Sequence, residues 1–254
     1  ESNKIAVVAL DNPPVNALGI AELDALENIL TQLESENSTA RVLVFLGNGK
    51  FFGAGADLKM VSANLDLPDG ADRMADIAIR MHSVLKRIEN LKIPTIAILN
   101  GSAMGGGLEL ALACDLRILD ESAKYGLPEV KLGLIPGYGG TQRLPQLVGK
   151  GKAMEMIMSA GMLTADEAKA YGLVNYVVPQ SELLEFCNGI GQKIARNSPV
   201  AISQAIKAIN ANYKEGVNGY KTEIEAFGKC FATADFKEGT TAFLEKRKPD
   251  FKGK

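Results

Sequence analysis

The chain has 254 residues, of which 46% are hydrophobic and 23% charged, the composition of an ordinary globular protein. A formal net charge of −2 excludes a general electrostatic attraction to nucleic acid or anionic lipid. No apolar run approaches the ~20 residues of a membrane-spanning helix. The single histidine, His82, argues against a Ser-His-Asp triad and a histidine-rich metal site. Three cysteines without metal-ligand spacing favour a reducing compartment, and the start at Glu1 allows for a removed targeting segment.

Apolar runs rich in β-branched residues predict strands, which alternate with helices over the first two thirds of the chain. The strands are expected at residues 4–10, 41–46, 95–99, 116–119 and 175–178, with a short extended piece at 124–126. Apolar residues at helical spacing predict helices over 20–33 and 71–91. Strand followed by helix requires crossover connections, so the sequence predicts an α/β fold with parallel strands.

Helices dominate the last third of the chain. They are expected at residues 141–148, 150–159, 164–171, 181–197, 199–212, 217–231 and 237–247. Thr164 and Glu167 have the spacing of a capping box, which marks the start of one of them. The sequence contains neither an internal repeat nor a low-complexity linker, so this helical part is expected to pack on the α/β core.

Two glycine-dense turns, at 105–107 and 137–140, stand out within residues 99–144. Each lies close to a carboxylate in an apolar setting, Glu109 or Glu129. Consecutive glycines let a ligand touch backbone amides, and a helix predicted over 108–114 leaves those amides as unpaired donors at its N-terminus. Amide donors aimed at a polarised carbonyl, with carboxylates nearby to move protons, indicate an acyl-activating enzyme. Small residues at 51–59 follow a strand, where α/β folds bind ligands.

The chain resembles the crotonase, or enoyl-CoA hydratase/isomerase, superfamily. The resemblance rests on four motifs in matching order, at residues 52–58, 100–109, 128–140 and 236–249. Because both carboxylate positions of the family are filled, the chain is most similar to short-chain enoyl-CoA hydratases. The resemblance implies a crotonase-like (ClpP/crotonase) spiral of ββα turns over residues 1–195. It also implies a helical trimerisation and lid region over residues 196–254, and a homotrimer or a hexamer built as a dimer of trimers.

The implied reaction is the reversible syn addition of water to a short-chain trans-2-enoyl-CoA, which gives a 3-hydroxyacyl-CoA. By the family pattern, the backbone amides of Ala56 and Gly106 bind the thioester oxygen. Glu109 activates the water, and Glu129 delivers a proton to C2. The amide of Gly137 is expected to help orient the Glu129 carboxylate.

Coenzyme A is expected to enter as part of the substrate, with no metal and no separate cofactor. The resemblance assigns its binding to the segment 54–59 and to Gly106. The residues of that segment are Ala54, Gly55, Ala56, Asp57, Leu58 and Lys59. Three residues near the C-terminus, in a neighbouring subunit, are further candidates: Phe227, Phe243 and Lys246.

Several alternatives remain open at this point. The same fold also serves Δ3,Δ2-enoyl-CoA isomerases and hydratases of branched substrates such as 3-methylglutaconyl-CoA. Tyr138 replaces a smaller residue common in the family, which leaves the size of the acyl pocket open. A different class of function is a non-catalytic acyl-CoA-binding or RNA-binding protein, which the paired carboxylates and the net charge disfavour. The expected location is the bacterial cytoplasm, or the mitochondrial matrix if a presequence was removed.

Overall fold

Two β-sheets form the centre of the structure, a computed structural model that describes residues 4–254. The strands are β1 (Ile5–Leu10), β2 (Val42–Gly47), β3 (Phe51–Ala54), β4 (Thr95–Leu99), β5 (Ser102–Met104), β6 (Leu116–Asp120), β7 (Tyr125–Gly126), β8 (Met162–Leu163) and β9 (Tyr176–Val178). The first sheet has five parallel strands in the order β1-β2-β4-β6-β9. The second has four in the order β3-β5-β7-β8, of which only β7 and β8 pair antiparallel.

Helices alternate with strands up to β9, and four helices follow one another after it. The helices are α1 (Ile20–Glu34), α2 (Leu58–Ser62), α3 (Gly70–Glu89), α4 (Gly106–Leu112), α5 (Gly140–Ser159), α6 (Ala165–Ala170), α7 (Leu183–Ala195), α8 (Pro199–Ala211), α9 (Gly219–Phe231) and α10 (Ala234–Leu244). A 3-10 helix spans Glu129–Leu132. Three times in succession a strand of the first sheet leads into a strand of the second and then into a helix, as in β4-β5-α4. This repeat makes the fold a spiral of ββα turns.

The inner strands β2 and β4 of the first sheet are almost entirely apolar because both faces of the sheet are covered there. Leu43 and Phe45 of β2 point into the main core. The alternate residues Val42 and Val44 pack with Leu183 of α7 in a second apolar cluster on the opposite face. Continuous apolar runs of this kind are what the sequence shows at 41–46 and 95–99, and both strands are confirmed.

The structure corrects several details of the predicted elements. Strands β3, β5 and β8 were not predicted, because they span only two to four residues and carry too little apolar periodicity to indicate a strand. Helix α4 begins at Gly106 rather than 108, so the glycines form its first turn. The break between the two helices predicted over 141–148 and 150–159 is confirmed, since the non-helical Gly149 divides α5 into two helical parts. The capping box at Thr164 is confirmed.

The last part of the chain is helical, as predicted, with α8 to α10 following one another. The division into a core of residues 1–195 and a C-terminal region of 196–254 stays a prediction. Within residues 4–254, no helix combines the length and the apolar character needed to span a membrane.

Candidate active site

A cavity of about 410 Å³ lies where the ends of β3 and β5 meet α3, α4 and the 3-10 helix. Its walls are largely apolar, with Met74 and Ala78 contributed by α3. The cavity brings together predicted site residues that are far apart in the sequence: Ala54, Gly55, Ala56, Leu58, Gly106, Glu109, Glu129 and Gly137.

The amides of Ala56 and Gly106 lie close together at this cavity. A methyl group built on Gly106 would lie 3.5 Å from the Ala56 nitrogen. The backbone of Leu18 binds the residues on either side of Ala56. Its N–H donates to the Gly55 carbonyl, and its carbonyl accepts from the Asp57 N–H. Because amides alternate in direction along an extended chain, the Ala56 N–H points away from Leu18. In residues 4–254 neither the Ala56 nor the Gly106 N–H has a hydrogen-bond partner, so both are available to an oxygen in the cavity.

Glu109 is the more deeply buried of the two carboxylates, with 1% of the residue exposed. Its Oε1 accepts hydrogen bonds from the amides of Tyr138, at 2.8 Å, and Gly140, at 2.7 Å. Burial raises the pKa of Glu109 to about 7, and the charge of Glu129 acts in the same direction. The two N–H donors oppose this shift because they stabilise the ionised form.

The carboxyl group of Glu129 lies against Gly105 in the 105–107 turn. A methyl group built on Gly105 would lie 2.8 Å from its Oε1, so the carboxyl group lies directly over this glycine. Its Oε2 is buried and lacks a hydrogen-bond partner in the described part of the chain. Burial raises the pKa of Glu129, which favours the protonated form.

Comparisons with known proteins show the family of the chain. The family model described as enoyl-CoA hydratase/isomerase matches residues 1–254. The chain belongs to this family. It is 40% identical to the short-chain-enoyl-CoA hydratase of Clostridium acetobutylicum, over 98% of this chain and 94% of that protein. It is also 40% identical to the crotonyl-CoA hydratase of Syntrophomonas wolfei, over 99% of this chain and 95% of that protein.

The fold is the crotonase fold of this enoyl-CoA hydratase/isomerase family. The crystal structure of an enoyl-CoA hydratase from Bacillus anthracis superimposes with a TM-score of 0.91 at 41% identity. The match covers 99% of this chain and 96% of that one. The chain is therefore an enzyme of a family in which the relatives named above are hydratases, that is, hydro-lyases.

One expected contact of this family member differs in the structure. Gly137 lines the cavity, but none of the hydrogen bonds within residues 4–254 joins its amide to Glu129. The amides that hold a carboxylate belong to Tyr138 and Gly140, and the carboxylate is that of Glu109. The 137–140 turn therefore orients the first glutamate instead of the second.

The remaining predicted coenzyme A residues lie outside the cavity. Asp57 caps α2, since its Oδ1 accepts from the Lys59 amide at 2.8 Å, and the Lys59 side chain is exposed. Phe227 and Phe243 are 72% and 83% exposed on the C-terminal helices, and Lys246 is exposed as well. A single chain does not bring these three C-terminal residues to the cavity, so their contact with coenzyme A stays a prediction.

Arg143 is a residue of the site that sequence reasoning missed. Its Nη1 donates to the Tyr138 carbonyl at 2.9 Å, directly behind the turn that holds Glu109. The available signal was a lone cation three residues after the last glycine of the 137–140 turn. Tyr138, which the sequence connects with the size of the acyl pocket, packs its ring against Gly106 and forms part of the cavity wall. In residues 4–254, no cluster of His, Cys, Asp or Glu is suited to hold a metal ion.

Proposed function

We propose that the protein adds water reversibly to short-chain trans-2-enoyl-CoA thioesters. The observation that carries the proposal is the placement of the buried Glu109 and the half-buried Glu129 around the amides of Ala56 and Gly106, which have no hydrogen-bond partner within residues 4–254. Hydration needs all four groups, because a carbonyl must be polarised while a proton leaves water and another reaches carbon.

The two amides suit the thioester oxygen. The carbonyl is conjugated with the C2=C3 bond, so attack of water on C3 moves an electron pair onto that oxygen. The Ala56 and Gly106 N–H groups then donate to an enolate-like oxygen and stabilise the transition state. Removal of one such donor typically costs about 3–4 kcal/mol of transition-state stabilisation.

The environments of the two glutamates support different roles. Glu109 accepts two N–H bonds that favour its ionised form, and with a pKa of about 7 it can take a proton from water near neutral pH. Glu129 has an unpartnered buried oxygen and a raised pKa, so it is suited to hold the proton that goes to C2. Both groups border one cavity, which accounts for addition of oxygen and proton to the same face.

The substrate class follows from the cavity and the relatives. Its apolar walls and volume of about 410 Å³ suit a small acyl group. The two hydratases at 40% identity are named for short-chain enoyl-CoA and crotonyl-CoA. We infer that the 54–58 segment binds coenzyme A, and that Lys59, Phe227, Phe243 and Lys246 contact it in an oligomer, with no separate cofactor.

The test is the loss of enone-thioester absorbance when crotonyl-CoA is mixed with the purified protein. We expect rapid hydration by wild type and a fall in kcat of roughly 100-fold or more for Glu109→Gln and for Glu129→Gln. Glu36→Gln, a change at an exposed glutamate, is the control and should retain wild-type kcat.

Other outcomes select among the alternatives. Conversion of 3-enoyl-CoA to 2-enoyl-CoA without hydration would identify an isomerase. Hydration of 3-methylglutaconyl-CoA in preference to crotonyl-CoA would identify a branched-substrate hydratase. Tight crotonyl-CoA binding without turnover of any of these substrates would contradict the proposal and indicate a binding protein.

A further inference from the structure

Arg143 lies one turn inside α5, and its guanidinium joins two elements behind the active site. Nε and Nη2 donate to the two carboxylate oxygens of Glu89, at 2.6 and 3.1 Å. Nη1 donates to the backbone carbonyl of Tyr138 at 2.9 Å. Only 12% of the Arg143 side chain is exposed, so these three hydrogen bonds hold it in a single orientation.

The carbonyl that Arg143 binds stands between the two amides that hold Glu109. Those amides belong to Tyr138 and Gly140, and both donate to the same Oε1. The Tyr138 carbonyl is part of the peptide group that separates them in the chain. Fixing this peptide restricts the backbone dihedrals that determine where both N–H groups point.

We propose that Arg143, held by Glu89, is a positioning residue for Glu109. It fixes residues 138–140 so that their N–H groups orient the carboxylate toward the reacting water. The inference rests on the proposed role of Glu109 as the base. Arg143 does not line the cavity, so it acts on the substrate through Glu109, by way of the turn and of its own charge.

The charges around Glu109 determine the sign of the expected pH effect. Glu129, from the 3-10 helix, raises the pKa of Glu109, and Arg143, from α5, lowers it. Tyr138 packs beside Glu109 in the turn, and His82 of α3 lies next to Gly139 on the far side. Loss of the Arg143 cation and weaker N–H bonds both disfavour the Glu109 carboxylate, so both raise its pKa.

The experiment compares Arg143→Gln and Glu89→Gln with wild type in crotonyl-CoA hydration. We expect kcat to fall roughly 10- to 100-fold, because the base is displaced, while KM stays within about twofold. The acidic limb of the kcat–pH profile of Arg143→Gln is expected to move to higher pH, because the cation that lowers the pKa of Glu109 is lost. Arg87→Gln is the matched control: Arg87 also holds a carboxylate with two nitrogens, that of Glu34, but away from the site. It should retain the wild-type kcat and pH profile.

A double variant separates positioning from general stabilisation. Because Arg143 acts through Glu109, adding Arg143→Gln to Glu109→Gln should lower kcat no further. An equal loss of kcat in both backgrounds, or an Arg143→Gln enzyme with wild-type kcat and pH profile, would overturn the inference. If Arg143→Gln does not fold, Glu89→Gln decides by the fall in kcat at unchanged KM, since it leaves the guanidinium in place but removes the carboxylate that holds it. A wild type that hydrates no enoyl-CoA would instead contradict the proposed function.

Discussion

Glu109 is buried among apolar residues without a cation bound to its carboxylate, and this has a consequence for stability. Its pKa of about 7 in the folded protein lies above the ordinary value of 4.5. The folded state therefore binds a proton that the unfolded state has released between these two pH values. The contribution of Glu109 to the free energy of unfolding is fully present below pH 4.5, and it is lost as the pH rises through about 7.

Replacement of Glu109 by Gln should therefore stabilise the protein at alkaline pH. Gln retains an oxygen that can accept from the Tyr138 and Gly140 amides but cannot ionise. We expect the free energy of unfolding of Glu109→Gln to exceed that of wild type by on the order of 3 kcal/mol at pH 8. The gain should be much smaller at pH 5. Denaturant titration at both pH values measures it, and an equal difference at the two would contradict the prediction.

The sequence shows the two glutamates and the glycine turns because each belongs to a short local motif. It does not show that the 137–140 turn binds Glu109, because that contact joins residues 29 and 31 positions apart. For the same reason, the position of Arg143 after the glycine turn did not identify its partners. Its partners are a helix-end carboxylate 54 positions away and a backbone carbonyl, which any residue type provides.

At the scale of elements, the contact between α4 and β3 determines where the Gly106 amide, a proposed oxyanion donor, lies. A methyl group on Gly107 would lie 2.2 Å from the backbone oxygen of Gly53, so this contact requires glycine. The neighbouring Gly106 faces the cavity, where a methyl group would meet the movable ring of Tyr138 at 2.9 Å. The two glycines in the first turn of α4 therefore differ in purpose. Gly107 allows close packing on β3, and Gly106 leaves room for the proposed contact with substrate.

Alanine substitutions should separate these purposes. Gly107→Ala is expected to lower the free energy of unfolding by roughly 3 kcal/mol, because backbone must move away from backbone. Gly106→Ala should fold but lose about 100-fold or more in kcat/KM, because its methyl group fills the space beside the Ala56 amide. Thermal denaturation and crotonyl-CoA turnover test both variants. A Gly106→Ala enzyme with wild-type kcat/KM would contradict the placement of the oxyanion between these amides.

The sequence predicted strands correctly where the apolar runs are long. It missed strands that contain only a few residues. β2 and β4 are covered on both faces and read clearly in the sequence. β5 has three residues and β8 has two, and their hydrogen bonds to other turns of the spiral hold them as strands. The second sheet therefore could not be deduced from local patterns.

At the scale of the whole molecule, the C-terminal helices present an apolar face that the rest of the chain leaves exposed. Ile224, Phe227 and Phe231 of α9 and Phe243 and Leu244 of α10 are between 63% and 83% exposed. Apolar patches of this kind mark protein interfaces. The parallel core was predictable from the sequence, whereas the expected trimer comes only from the resemblance.

We therefore expect the protein to form trimers or hexamers in solution. Light scattering should give a mass of three or six chains. Phe243→Glu should lower that mass and weaken binding of crotonyl-CoA, because both the interface and the expected contact with coenzyme A are lost. Lys237→Glu, a change at an exposed polar position in α10, is the control. A monomeric wild type with full activity would contradict this expectation.

The spiral arrangement also has a consequence for the order of folding. Ala56, Gly106 and Glu129 follow strands of three successive turns, and they meet only when β3, β5 and β7 are aligned side by side. Such parallel pairing joins distant parts of the chain, and it forms more slowly than local helices. An intermediate with its helices in place but the second sheet unpaired would contain every catalytic group and still have no oxyanion site. We therefore expect the ability to catalyse to be among the last properties that the chain acquires as it folds.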